Sequence, residues 1–246
     1  MRGRSHGPGE RPIVMRARDG LAAENALVGL VAREVAALNR EGRQALLINL
    51  GAGSAAVLEN QLAEVVGDQF CVDRVDVDLR RVEHPRVGRQ WEESIVRMPG
   101  VPDRHYDIAF ANWVLEHVDD VRSAIREVAR ILRPGGLVVV TRPNPRAPEF
   151  RFAALAPEGI HKAFKPDGFE THYAYGSVSR IRDYLEGSGM RIERYLCAPV
   201  VGAYLSRLPW WVSWLGRAYD HLVVRLAVVP LCGAVVLVAR KRTPND

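Results

Sequence analysis

The sequence predicts an α/β domain built on a doubly wound, mostly parallel sheet with helices on both faces. Two observations carry this. Short apolar runs alternate with stretches of helical periodicity along most of the chain, the pattern of parallel strands joined by crossover helices. And the run Leu46-Leu47-Ile48-Asn49-Leu50 stops at Gly51-Ala52-Gly53, with the small residues Ser54-Ala55-Ala56 behind it. Glycines after a buried strand allow positive φ and let a ligand approach the main chain closely. The helix that follows turns its N-terminal N–H groups toward whatever binds there. The stretch therefore reads as a strand–loop–helix ligand cradle.

Taken in order, residues 1–19 read as a disordered tail, since the first dozen carry Gly, Pro and Arg without periodicity. From 20 to 39, Leu27, Leu30, Val31, Val35 and Leu38 recur at helical spacing, and Glu41-Gly42 ends that helix. The first strand is 45–50. A helix over 54–66 buries Val57, Leu58, Leu62 and Val65 and closes at Gly67-Asp68. Phe70 to Asp78 reads as the second strand, with acidic residues at its end; a bend at Asp73-Arg74 would instead stop it at Val75. Residues 84–100 hold a short third strand and a loop. Tyr106 to Asn112 is a fourth strand, and Asp119-Asp120 cap a helix carrying Val121, Ala124, Ile125, Val128, Ile131 and Leu132 on one face. Arg133-Pro134-Gly135-Gly136 reads as a turn and Leu137 to Thr141 as a fifth strand. After the proline-rich loop 142–148, Ser177 caps a short helix, Met190 to Ala198 alternates as a sixth strand, and Gly233 to Lys241 forms the last. Residues 20–246 make one domain.

Composition limits the function classes. The chain has 246 residues, 48% hydrophobic and 26% charged, as in an ordinary globular protein. Its net charge of +5 comes almost wholly from scattered arginines; Lys162, Lys165 and Lys241 are the only lysines. Basic helices and aromatic-plus-basic platforms are missing, so a nucleic-acid partner is not expected. Cys71, Cys197 and Cys232 stand far apart in apolar surroundings. That spacing suits buried, reduced thiols in a cytoplasmic protein rather than a metal or disulfide framework.

Ligands of doubly wound sheets bind beyond the carboxyl ends of the strands. Attention therefore falls on 51–55, 76–78, 90–93, 112–117 and 142–146. Gly51-x-Gly53-x-x-Ala56 alone fits a relaxed dinucleotide fingerprint. Further motifs decide otherwise: Asn49-Leu50-Gly51-Ala52-Gly53, the acidic end of strand two, Tyr106-Asp107-Ile108-Ala109 leading to Leu115-Glu116-His117-Val118, and Leu132-Arg133-Pro134-Gly135-Gly136 before strand five. In this order and spacing the chain resembles the class I S-adenosylmethionine-dependent methyltransferases, of the small-molecule group. The resemblance is good over residues 20–142 and rests on element order alone over 177–241.

That resemblance implies a Rossmann-like sheet of seven strands with the last antiparallel. It also implies roles. Gly51, Ala52 and Gly53 would lie along the methionine part of S-adenosylmethionine. Asp76 would accept the ribose hydroxyls, with Asp78 in reserve, because a carboxylate accepts two hydrogen bonds at once. Glu93 or Glu92 would meet the adenine amino group, and Asn112 and Trp113 would face cofactor and substrate. Two positions depart from the family. Asn49 stands where an acid is usual, and as a cofactor contact it would bridge to the ammonium group without charge; Ala55 replaces the third glycine. Either could weaken the site or mark a protein that no longer methylates. The Asn-Pro-Pro-aromatic motif of base amino methyltransferases is absent.

Methyl transfer from a sulfonium is mainly a matter of aligning nucleophile and methyl. A hydroxyl acceptor also needs a base, for which His161 and His117 are the candidates. His172, Tyr173 and Tyr175 would line the substrate pocket, with 143–176 and 199–230 as substrate-cover insertions. Pro209-Trp210-Trp211-Val212-Ser213-Trp214-Leu215 reads first as a helix before the last strand. With Arg207 and Arg217 it also suits peripheral membrane contact through 207–217. The sequence favours O-methylation of a small, lipophilic molecule by a cytoplasmic enzyme that needs no metal. A cofactor-sensing protein of the same fold and a nicotinamide-dependent reductase stand as alternatives.

Overall fold

The computed structural model describes residues 12–15, 22–148, 150 and 176–244. Eight strands form one sheet: β1 (Pro12–Val14), β2 (Ala45–Leu50), β3 (Phe70–Asp76), β4 (Val87–Glu92), β5 (Tyr106–Asn112), β6 (Leu132–Pro143), β7 (Met190–Ala198) and β8 (Ala234–Lys241). Their spatial order is β1-β7-β8-β6-β5-β2-β3-β4. Only β8 runs against its neighbours, β6 and β7. Among the described residues six helices accompany them: α1 (Ala22–Arg40), α2 (Val57–Val66), α3 (Val121–Ile131), α4 (Val178–Gly187), α5 (Val201–Tyr204) and α6 (Trp210–Leu226).

The period-two alternation of the strands sorts their side chains into two cores. Leu47, Ile108, Phe110 and Val139 pack beneath α1 and α2, against Leu27, Val31 and Val35. Ile48, Ala109, Val138 and Val140 pack on the other face, against Val121, Ile125 and Val128 of α3 and Ile181 of α4. Local chemistry sets the helix ends. Asp120 accepts the Ser123 N–H at 3.0 Å to cap α3, and Ser177 accepts that of Arg180 to cap α4. Lys241 closes the far end of α3, its Nζ donating to the carbonyls of Ala129 at 2.5 Å and Leu132 at 2.7 Å.

The structure corrects several sequence expectations. The sheet has eight strands rather than seven, because Pro12–Val14, expected in a disordered tail, pairs in parallel with Tyr195–Cys197. Proline is tolerated there because β1 is an edge. The second strand runs unbroken to Asp76. On α2, Val57 and Val65 are exposed; Leu58 and Leu62 are buried, and Glu59 takes the remaining inward position. Arg133-Pro134-Gly135-Gly136 lies within β6 instead of before it. The ladder to β5 is irregular there: Tyr106 pairs with Leu132, and Ile108 next with Leu137. Gly135 has φ +80, so the residues of a turn make a bulged start to the strand. Cys197 and Cys232 are buried free thiols, while Cys71 is only half-buried.

Candidate functional site

The central strands β2, β3 and β5 all end at one edge of the sheet, and the loops there converge on the glycine loop. Gly51 and Ala52 both donate to Val75 O, at 2.8 and 3.1 Å, which folds the loop back over β3. Gly51 has φ +69 and Gly53 φ +64, a region costly for residues with a Cβ. A Cβ at Gly51 would also lie 2.5 Å from the Val114 side chain, whereas one at Gly53 would meet nothing within 4 Å. One glycine is thus required by a neighbour, and the other faces open space.

Asp76, the last residue of β3, bounds that space. Its Oδ2 accepts Gly53 N at 2.8 Å and its Oδ1 accepts Asp78 N at 3.1 Å. A carboxylate offers about four acceptor positions, so each oxygen keeps capacity for a ligand hydroxyl. Asp78 lies just past the strand, exposed, with its backbone turned to Asp76. The acidic pair is therefore ordered by the strand end: Asp76 belongs to the loop and Asp78 to its outer rim.

Beneath the loop lies a buried polar cluster that sequence reasoning missed. Arg74 is fully buried, and its Nη2 donates to the carbonyls of Ala52 at 2.7 Å, Ala55 at 3.0 Å and Gly53 at 3.3 Å. Glu59 Oε1 stands 3.1 Å from Arg74 Nε and accepts Asn49 Nδ2 at 2.9 Å. Asn49 and Arg74 are direct partners in the β2–β3 ladder, so their side chains share the α2 face. A signal was present: a charged residue between Asp73 and Val75 in a strand, level with the unusual Asn49. Both family departures now have accounts. Asn49 is buried as a donor to a carboxylate supplied by α2. Ala55 needs no glycine, because positive φ in this loop is confined to Gly51 and Gly53.

The loop after β5 forms the facing wall. Asn112 Oδ1 accepts the Thr141 hydroxyl, and its Nδ2 donates to Glu24 Oε2 at 3.3 Å. Glu24 Oε1 in turn accepts Gln61 Nε2 at 2.9 Å. Trp113 has φ +55, its N–H held by Thr141 Oγ1 at 3.1 Å. Its indole packs against the α1-side core. His117 ends a one-turn 3-10 helix, Leu115–His117, and is exposed beside buried Glu116. Glu93 Oε1 accepts Gly100 N at 3.0 Å, which bends its carboxylate onto the next loop. His161, His172, Tyr173 and Tyr175 lie outside the described residues. Among the described residues, no group of histidines, cysteines and acids could hold a metal.

This arrangement suits a ligand with vicinal hydroxyls and an extended chain. The hydroxyls would meet Asp76 and the chain would follow the open main chain at Gly53. Residues 48–140 match the family described as Methyltransferase domain. A ubiquinone biosynthesis O-methyltransferase of Bordetella avium is 27% identical over 165 residues, 63% of this chain and 67% of that protein. A malonyl-[acyl-carrier protein] O-methyltransferase of Hahella chejuensis is 25% identical over 112 residues, 44% of this chain but only 40% of that protein. Among solved structures, an S-adenosylmethionine-dependent methyltransferase from Mesorhizobium loti superposes with a TM-score of 0.59. It covers 89% of this chain and 98% of its own, at 18% identity, a likeness of fold.

Proposed function

We propose that this chain is a class I S-adenosylmethionine-dependent methyltransferase that transfers a methyl group to a small molecule, with oxygen as the acceptor. The observation that carries the reading is the carboxylate of Asp76 bonded to Gly53 N at the carboxyl edge of the parallel strands. The names of the two O-methyltransferase relatives support oxygen.

S-adenosylmethionine, the family's cofactor, supplies a methyl group activated by a sulfonium. The chain's own residues bind and orient. In this reading Asp76 accepts the ribose hydroxyls, and Gly51, Ala52 and Gly53 run along the methionine part. Arg74 fixes the carbonyls of Ala52, Gly53 and Ala55 from below, so the loop is held in place before a ligand arrives, and preorganisation of this kind lowers the cost of binding. Asn112 and Trp113 flank the methyl. Proton removal from the acceptor falls to His161 or His117, and His172, Tyr173 and Tyr175 are the proposed substrate contacts. Asn49 is not a cofactor ligand in this reading, because its amide is engaged by Glu59. The reading of a non-methylating relative loses its two motives once Asn49 and Ala55 have structural accounts.

Calorimetric titration with S-adenosylmethionine and S-adenosylhomocysteine tests it, on wild type and Asp76→Ala. Micromolar binding by the wild type, lost in the variant, is expected. Wild type that binds neither compound, or tight NADH binding in its place, overturns the reading.

A further inference from the structure

Helix α6 carries apolar surface that the described residues leave uncovered. Trp210 is 80% exposed, Trp214 58% and Trp211 55%, and Leu215, Leu222 and Leu226 are each more than half exposed. Its inward face is a separate set. Ser213, Gly216 and Val223 are buried, and Gly216 crosses so close to α5 that a Cβ there would stand 3.1 Å from Gly202 Cα. The charges sort the same way. Asp220, the helix's single acid, turns inward to accept Gly202 N at 2.8 Å. Arg217, His221 and Arg225 are exposed. The outer face thus combines indoles, leucines and cations with no carboxylate.

Its position adds meaning. The segment 199–233 leaves the carboxyl end of β7 and returns at the start of the antiparallel β8, so it sits at the edge of the sheet that holds Gly51 and Asp76. Asn144, beyond β6 at that same edge, ties it down. Its backbone N donates to Gly233 O at 2.7 Å and its Nδ2 to Cys232 O at 3.0 Å. Seventeen residues of helix measure about 25 Å, and no described helix is long and apolar enough to cross a membrane. A helix with aromatic and aliphatic residues on one arc and cations beside them, too short and too charged to span, has the makeup of one that lies in a lipid interface.

We propose that α6 docks the protein on an anionic lipid surface. Trp210, Trp211 and Trp214 lie at the headgroup level, Arg217 and Arg225 meet lipid phosphates, and the ligand edge of the sheet faces the bilayer. The docking stands apart from the methyl-transfer reading, since its readout involves neither cofactor nor acceptor.

The test is sedimentation of the full chain with vesicles of phosphatidylcholine alone or mixed with phosphatidylglycerol, with tryptophan emission followed in parallel. Binding to the mixed vesicles, a blue-shifted emission and release by high salt are expected. W210A/W211A/W214A should bind roughly tenfold more weakly or worse, because apolar burial scales with the area removed. R217Q/R225Q should bind roughly twenty-five-fold more weakly on anionic vesicles, at about a fivefold loss per cation near the surface. Both variants should keep the wild-type circular dichroism and unfolding temperature; if one does not, the single variants W214A and R225Q carry the same comparison. No binding by wild type overturns the proposal, as does equal binding by the tryptophan variant. So does a concentration-dependent dimer abolished by the tryptophan changes without vesicle binding, or binding to a polyanion such as heparin but not to vesicles.

Discussion

Glu59 and Arg74 meet at 3.1 Å with neither side chain exposed to solvent. The pair lies under the glycine loop, and Arg74 holds the carbonyls of Ala52, Gly53 and Ala55. Breaking a buried ion pair from one side leaves an uncompensated charge, which costs about 3–5 kcal/mol. Glu59→Met and Arg74→Met should each destabilise the chain on that scale. The double variant should recover part of the loss, because neither charge is then stranded, giving a coupling of about 1–3 kcal/mol. Urea unfolding of the four proteins measures this. Strictly additive losses would mean that the two groups do not depend on each other.

Asn49→Asp follows from the same cluster. Asn49 Nδ2 donates to Glu59 Oε1; an aspartate there would set a second carboxylate against the first, with Arg74 as the nearby cation. Like charges at this range favour protonation of one of them. The variant should therefore lose about 1–3 kcal/mol at pH 7 and regain part of it as the pH falls toward 5. Cofactor affinity should fall with it. A gain in affinity would show that position 49 faces the ligand instead.

How much of this was legible in the sequence depends on the range of the cause. The alternation of Leu47 and Ile48 between two cores follows from period-two patterning and could be read directly. The glycine loop and Asp76 were legible because strand ends and φ requirements are local. Glu59 was not. Val57 and Val65 have the right spacing for a buried face, and only the arrival of Arg74 from another strand makes a carboxylate the inward residue of α2. The edge strand Pro12–Val14 was hidden for a similar reason. It is three residues long, and its partner β7 lies at the far end of the chain.

Gly51 answers two constraints that a pair of variants can separate. Its φ of +69 alone makes alanine cost about 1 kcal/mol, and the Cβ would overlap the Val114 methyls at 2.5 and 2.6 Å. Gly51→Ala should lose about 2–4 kcal/mol, within the range for overpacking plus strain. Gly53→Ala, with positive φ but no neighbour within 4 Å, should lose only about 1 kcal/mol. Adding Val114→Ala should rescue Gly51→Ala in part, which thermal unfolding would register. Equal losses at the two glycines would leave Val114 no role.

Asp220 gives a pH dependence with a definite sign. Burial pushes its carboxyl above the usual range, while hydrogen bonds from the Gly202 and Val201 backbone pull it partly back. A folded-state pKa above the unfolded one means the folded protein holds its proton more tightly. Stability from this group is therefore greatest below the unfolded value and is lost as the pH rises through the folded one. Asp220→Asn removes that loss and keeps an oxygen for Gly202 N. It should match the wild type near pH 3.5 and exceed it at pH 7 by about 0.5–1 kcal/mol. Asp220→Leu leaves Gly202 N without its acceptor and should be weaker at both pH values by about 1–3 kcal/mol. Urea midpoints of the three proteins at the two pH values decide the matter. An asparagine variant weaker than wild type at pH 7 would mean that the ionised carboxylate's bond to Gly202 N outweighs its burial. A gap between them that does not change with pH would mean that Asp220 does not titrate differently on folding.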